Sequence, residues 1–198
     1  LMTNLPLKTL VFKVGNSDDV LRFLVESGAS LEGVDHEGLT LLQRAIMEKV
    51  EFKREALLLL SMGASVSGTV CVQGQSLSVL SFALVTRTDI DIVRAVVQQA
   101  KRSLTSEDFT ILLNSGFPEP PIHIAYERGG LELVRVLVEH GASPDVVNNE
   151  GLTLLFYALR KIVMGSSEDK HQDAIPLLLE LGASVSGTTM HLGHPRSV

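Results

Sequence analysis

The chain has 198 residues, 45% of them hydrophobic, which suits one compact domain or a short array of repeats and is too apolar for a disordered tail. Its 17 Lys and Arg against 23 Asp and Glu leave a formal charge of −6, opposing the phosphate neutralisation that drives general nucleic-acid binding. A lone cysteine, Cys71, makes neither an internal disulfide nor a thiolate zinc cluster and points to a reducing, intracellular compartment, while 5% aromatics and no Trp leave little for base stacking.

In chain order, Leu5-Pro6-Leu7-Lys8 opens the sequence, Asp18-Asp19 place acid before an apolar run, and Val20 to Val25 reads as a helix closed by Gly28. Glu37 to Leu42 follows, with Thr40 as N-cap and Ala45 at the fifth helical place. Ala56 to Leu60 is the next helix, stopped by Gly63. Ala56 to Thr86 holds no charge, but its serines, glycines and glutamines divide it into apolar pieces too short to span a bilayer, so no membrane insertion is expected. Ser78 to Ala83 repeats the pattern of Thr40 to Ala45, Ile90 to Ala100 is amphipathic, and Thr105 to Asn114 reads as an extra capped helix before Gly116. Pro120 to Ala125, Leu133 to Val138 and the stop at Gly141 form the most regular unit. Glu150 to Leu155 with Thr153 and Ala158, a polar insertion over Met164 to Gln172, and Ala174 to Leu181 ending at Gly182 complete the pass.

Gly-Ala-Ser thus recurs at Gly28, Gly63, Gly141 and Gly182, each time after an apolar run. Pro121-Ile122-His123-Ile124-Ala125, Gly129, Leu133-Val134 and Gly141-Ala142 resemble the ankyrin repeat, and the 16 residues from Ala125 to Gly141 fit it. The resemblance implies an all-α, curved and elongated solenoid of stacked helix-turn-helix units with turn or hairpin tips. Five units are expected, at about 1–34, 35–72, 73–114 (irregular), 115–147 and 148–188 (carrying the insertion 164–172), with 189–198 beginning another. A longer period overlies the short one. Leu24 to Ala45 and Leu137 to Ala158 share 14 of 22 residues at an offset of 113, and Gly63 to Thr69 recurs identically at Gly182 to Thr188 at an offset of 119. The expectation is a duplicated three-unit block within a longer parent chain.

Reaction chemistry finds poor support. His123 sits in the repeat motif, where it implies a backbone hydrogen bond, and His140 sits at a helix C-terminus. His191 and His194 lack an evident third metal ligand, and Cys71 has no nearby histidine in sequence. Nucleophile-elbow, phosphate-loop and dinucleotide motifs are missing. The sequence therefore reads as a non-enzyme with no cofactor and no metal. An aromatic cage for methylated peptides would have to draw on Phe82, Phe117, Phe156, Tyr126 and Tyr157, most of them in core-like slots.

What remains is recognition of another protein or peptide. The resemblance implies a concave face of turn tips and first helices: His36, Glu37 and Leu39; Gln75 and Leu77; Phe117 and Glu119; Asn149, Glu150 and Leu152 at the tips, with Met47, Glu48, Val85, Glu127, Arg128, Arg160 and Lys161 from the helices. Each tip leucine has an alternative role, packing its own turn. The expected function is a protein-interaction scaffold, or alternatively a regulatory or targeting segment of a larger enzyme.

Overall fold

A computed structural model describes residues 17–48, 52–72, 74–116, 119–164, 170–186, 189–191 and 194–196. The opening motif Leu5 to Lys8 and the tip residue Phe117 lie outside them. Ten α-helices fall within the described residues: α1 (Ser17–Glu26), α2 (Leu41–Met47), α3 (Lys53–Ser61), α4 (Val79–Val85), α5 (Ile90–Ser103), α6 (Ser106–Asn114), α7 (Pro121–Gly129), α8 (Leu131–Glu139), α9 (Leu154–Val163) and α10 (Lys170–Glu180). Two short antiparallel hairpins accompany them, β1 (Thr69–Val72) with β2 (Gln75–Ser78) and β3 (Thr189–His191) with β4 (His194–Arg196).

The helices pair as α2 with α3, α4 with α5, α7 with α8 and α9 with α10. Successive pairs stack in two rows. The shorter helices α2, α4 and α7 pack in sequence, and behind them α1, α3, α5, α8 and α10 form a second continuous row. No single pair could bury its apolar side alone, so each depends on the next.

Each shorter helix begins with a device that restrains its first turn. Thr40, Ser78 and Thr153 accept hydrogen bonds from the N–H groups of Gln43, Ser81 and Phe156, and Gln43 returns a bond to the Thr40 N–H, completing a capping box. In α7, Pro121 supplies the first residue, where no N–H is needed. The fifth residue of each is Ala45, Ala83, Ala125 or Ala158, all fully buried, so a larger side chain there would have to displace its packed neighbours.

The second helices α3, α8 and α10 end on glycine because the chain must turn left-handed there, whereas α5 ends on Leu104 in extended conformation. Gly63 has φ +92° and Gly141 φ +107°, and the following Ala64 and Ala142 N–H groups close onto the carbonyls of Leu59 and Leu137. Two residues past each stop, a side chain from the preceding unit clamps the backbone. Ser65, Ser143 and Ser184 donate their N–H groups to Glu32 (2.9 Å), Asn114 (2.6 Å) and Asp145 (2.8 Å). These bonds join one helix pair to the next beside the continuous apolar core.

The extra helix expected after Ile90 to Ala100 is α6, capped by Thr105. The insertion is shorter at its far end than the sequence suggested. Lys170 to Gln172 already belong to α10, Met164 caps α9, and 165–169 lie outside the described residues. The long period also recurs in the backbone. Adding 119 to the pairs Val70↔Leu77, Cys71↔Ser76 and Val72↔Gln75 gives Thr189↔Arg196, Met190↔Pro195 and His191↔His194, which are the pairs of the second hairpin.

Candidate functional site

A groove of about 470 Å³ lies between α4, α7 and α9. Val85 and Arg87 reach it from the end of α4, Glu119 from the turn before α7, and His123, Ile124, Glu127 and Arg128 from α7 itself. Asn148 and Glu150 from the next turn, with Tyr157 of α9, close the other side.

Asn148 shapes that turn by accepting the N–H groups of Glu150 and Leu152, both at 3.0 Å. His123, 4% exposed, donates Nε2–H to the Val146 carbonyl at 2.9 Å and so ties α7 to the following turn. Burial pushes its pKa below the ordinary 6.5 and outweighs the opposing pull of the Val146 carbonyl and Glu127. The imidazole is therefore a neutral structural strut, in line with its slot in the motif.

Tyr157 stands edge-on to both His123 and Tyr126, each with ring centroids 6.2 Å away. Arg160 and Lys161 lie over its ring at 5.4 and 5.2 Å. Burial raises the Tyr157 pKa, although its bond to Lys161 works in the other direction. Arg160 also binds Glu150, which lowers the pKa of that carboxyl. Glu119 differs from its neighbours. Burial pushes its pKa up, the Asn149 N–H it accepts pulls down, and the charges of Glu150 and Glu127 push up again. Its Oε2 is buried with no hydrogen-bond partner among the described residues.

Of the sequence-predicted face, Val85, Glu119, Glu127, Arg128 and Glu150 meet in this groove. Asn149, Leu152, Arg160 and Lys161 lie in or beside its far wall, on the Asn148 turn and on α9. His36, Glu37, Met47, Glu48 and Gln75 lie along α2, its turn and β2 and do not line it. Two expectations are corrected. Leu77 is 3% exposed because it faces Val70 across the hairpin, and strand alternation sends both inward while the paired Cys71 and Ser76 face out. Leu39 is 7% exposed, its N–H bound to Asp35 and its side chain in the core. Neither is an exposed anchor; each packs its own turn. Phe82 and Tyr126 are likewise buried, so they offer no face to a cage.

Sequence reasoning missed Arg87, Ile124, Asn148 and Tyr157 as groove residues. The offset of 113 carried a signal for two of them. It sets Asn148 against Asp35 and Tyr157 against Arg44. In the earlier copy, Arg44 donates to Asp35 and Glu37, each at 2.6 Å, with Arg44 and Asp35 almost fully buried. In the later copy both charges are gone, and the room they filled belongs to the groove wall.

A family described as ankyrin repeats, three copies, matches residues 80–189, and the chain belongs to that family. Among solved structures, an ankyrin repeat domain from Acinetobacter baumannii AYE is similar in fold, with a TM-score of 0.61 and 22% identity over 90% of this chain and 82% of that one. No curated protein gives a significant match. Ankyrin repeats are in general protein–protein interaction modules. Among the described residues, no helix is long and apolar enough to cross a membrane, and no group of three or more His, Cys, Asp or Glu is placed to hold a metal.

Proposed function

We propose that this chain is a non-catalytic, intracellular protein-binding module that holds a protein or peptide along the exposed side of its shorter helices and turn tips. The groove between α4, α7 and α9 is the centre of that face, and its convergence of Val85, Glu119, Glu127, Arg128 and Glu150 is the observation that supports the reading. Asn149, Leu152, Arg160 and Lys161 extend the contact on one side. His36, Glu37, Met47, Glu48 and Gln75 extend it toward the first pairs, and Phe117 is added by its place in the chain. The five-unit division inferred from sequence is part of this proposal, and net acidity argues against nucleic acid as the partner.

The geometry does not favour a reaction. The buried histidine is bonded to backbone, and the Glu150 carboxylate is bound to Arg160. The test is affinity capture comparing the wild type with Glu127→Arg and Arg128→Glu, using Glu139→Arg on the far row as control. A partner lost by the first two variants and kept by the third supports the reading. Equal recovery by all four proteins removes it.

A further inference from the structure

The long period gives residues of the second and third helix pairs in space a counterpart further along the chain. An offset of 113 sets Ile46 of α2 against Leu159 of α9, and an offset of 119 sets Leu60 of α3 and Val66 against Leu179 of α10 and Val185. Ile46, Leu60 and Val66 are 0, 3 and 1% exposed, whereas Leu159, Leu179 and Val185 are 39, 45 and 72% exposed. Neighbouring positions on the same helices do not differ. Leu42 and Leu155, Ala45 and Ala158, and Leu59 and Leu178 are all buried. The difference is therefore confined to one side of each helix. In the first copy that side is filled, because α2 packs on α4 and α3 on α5. A unit that closes a solenoid carries a polar outer face, but α9 and α10 keep the aliphatic residues of an internal unit there.

We infer that the outer face of α9 and α10 is a docking surface for one further helix pair of the α4 and α5 kind, joined through β4. The hairpin supplies the route. Its β3 and β4 keep the register of β1 and β2 at an offset of 119, and in the first copy β2 leads through the cap Ser78 straight into α4. The same offset sets Ser197 and Val198 against Ser78 and Val79, the cap and first residue of that helix. The occupant thus brings an apolar helix like Val79–Val85 over α9 and an amphipathic one like Ile90–Ser103 over α10, and removing Leu159, Leu179 and Val185 from water drives the contact. This surface is separate from the groove and does not depend on what the groove binds.

The test compares amide hydrogen exchange in the full chain, in the chain extended after Val198 by a copy of Leu80 to Leu104, and in a chain extended by the same residues in scrambled order. The native-order extension slows exchange at Leu159 and Leu179 about tenfold or more, and the scrambled one does not. Leu179→Asp leaves the urea midpoint of the unextended chain nearly unchanged, because that side chain already meets water, and abolishes the slowing in the extended chain. No slowing from the native-order copy, equal slowing from the scrambled one, or slowing that survives Leu179→Asp would overturn the inference. Slowing in the unextended chain that grows with protein concentration and is lost in Leu179→Asp would also overturn it, by giving the face to a second copy of the chain.

Discussion

The pair Asp35 and Arg44 offers a quantitative perturbation. Burial pushes the Asp35 carboxyl up, but the Arg44 guanidinium and the N–H groups of Leu39 and Glu37 outweigh it and hold the pKa at about 2, against an ordinary 3.8. With Asp35 only 7% exposed at its side chain, that displacement corresponds to about 2 kcal/mol of folding stability. The group is charged in the folded state to lower pH than in the unfolded one. Its contribution is therefore complete above pH 4 and is lost as the pH falls toward 2. Asp35→Asn keeps the turn that Asn148 makes in the later copy, but leaves the buried Arg44 to the half-exposed carboxylate of Glu37. The substitution should lower stability by about 2 kcal/mol at pH 7, shifting the urea midpoint by about 1 M for a denaturant slope near 2 kcal/mol/M. The deficit should shrink between pH 4 and pH 2. Asp35→Asn with Arg44→Tyr, which installs the residues found 113 positions later, should recover at least half of it. An Asp35→Asn deficit that does not change with pH, or a double variant with the summed deficits of the singles, would refute the reasoning.

Three further outcomes are expected. A methyl at Gly129 would lie 2.0 Å from Leu133 Cδ1, and Leu133 is buried, so Gly129→Ala should lower stability by about 1–2 kcal/mol, read as a fall in melting temperature. Thr105→Ala removes the cap of α6 and should cost about 1 kcal/mol, seen as faster amide exchange within α6, with Thr105→Ser retaining most of it. His123 is held neutral, so as pH falls below its ordinary 6.5 the unfolded chain takes up a proton that the folded chain refuses, and stability declines. His123→Gln can still donate to Val146 and should flatten that part of the pH profile.

Helix starts and stops were the most legible features in the sequence because their chemistry is local. A threonine before an apolar run has its donors within three residues, and a glycine after one meets a conformational demand of its own backbone. Both Thr40 and Gly141 could therefore be placed without knowing their neighbours. The exposed or buried state of a tip residue is decided across the chain. Leu77 faces inward because Val70 pairs with it across a hairpin whose register the sequence did not specify. Arg87 and Tyr157 escaped notice for the same reason, since the groove that joins them is made by three helix pairs at once. The paired substitutions at the 113-residue offset held part of this information. Reading them required knowing that Asp35 and Arg44 touch.

Site-specific photo-crosslinking tests the central claim most directly. A benzophenone amino acid is placed at Glu127 on the groove or at Glu139 on the opposite row, in the full chain exposed to its captured partner. The account predicts an adduct from position 127 and none from position 139. Adducts from position 139 alone would contradict it, because the partner would then be held by the row assigned here to stacking.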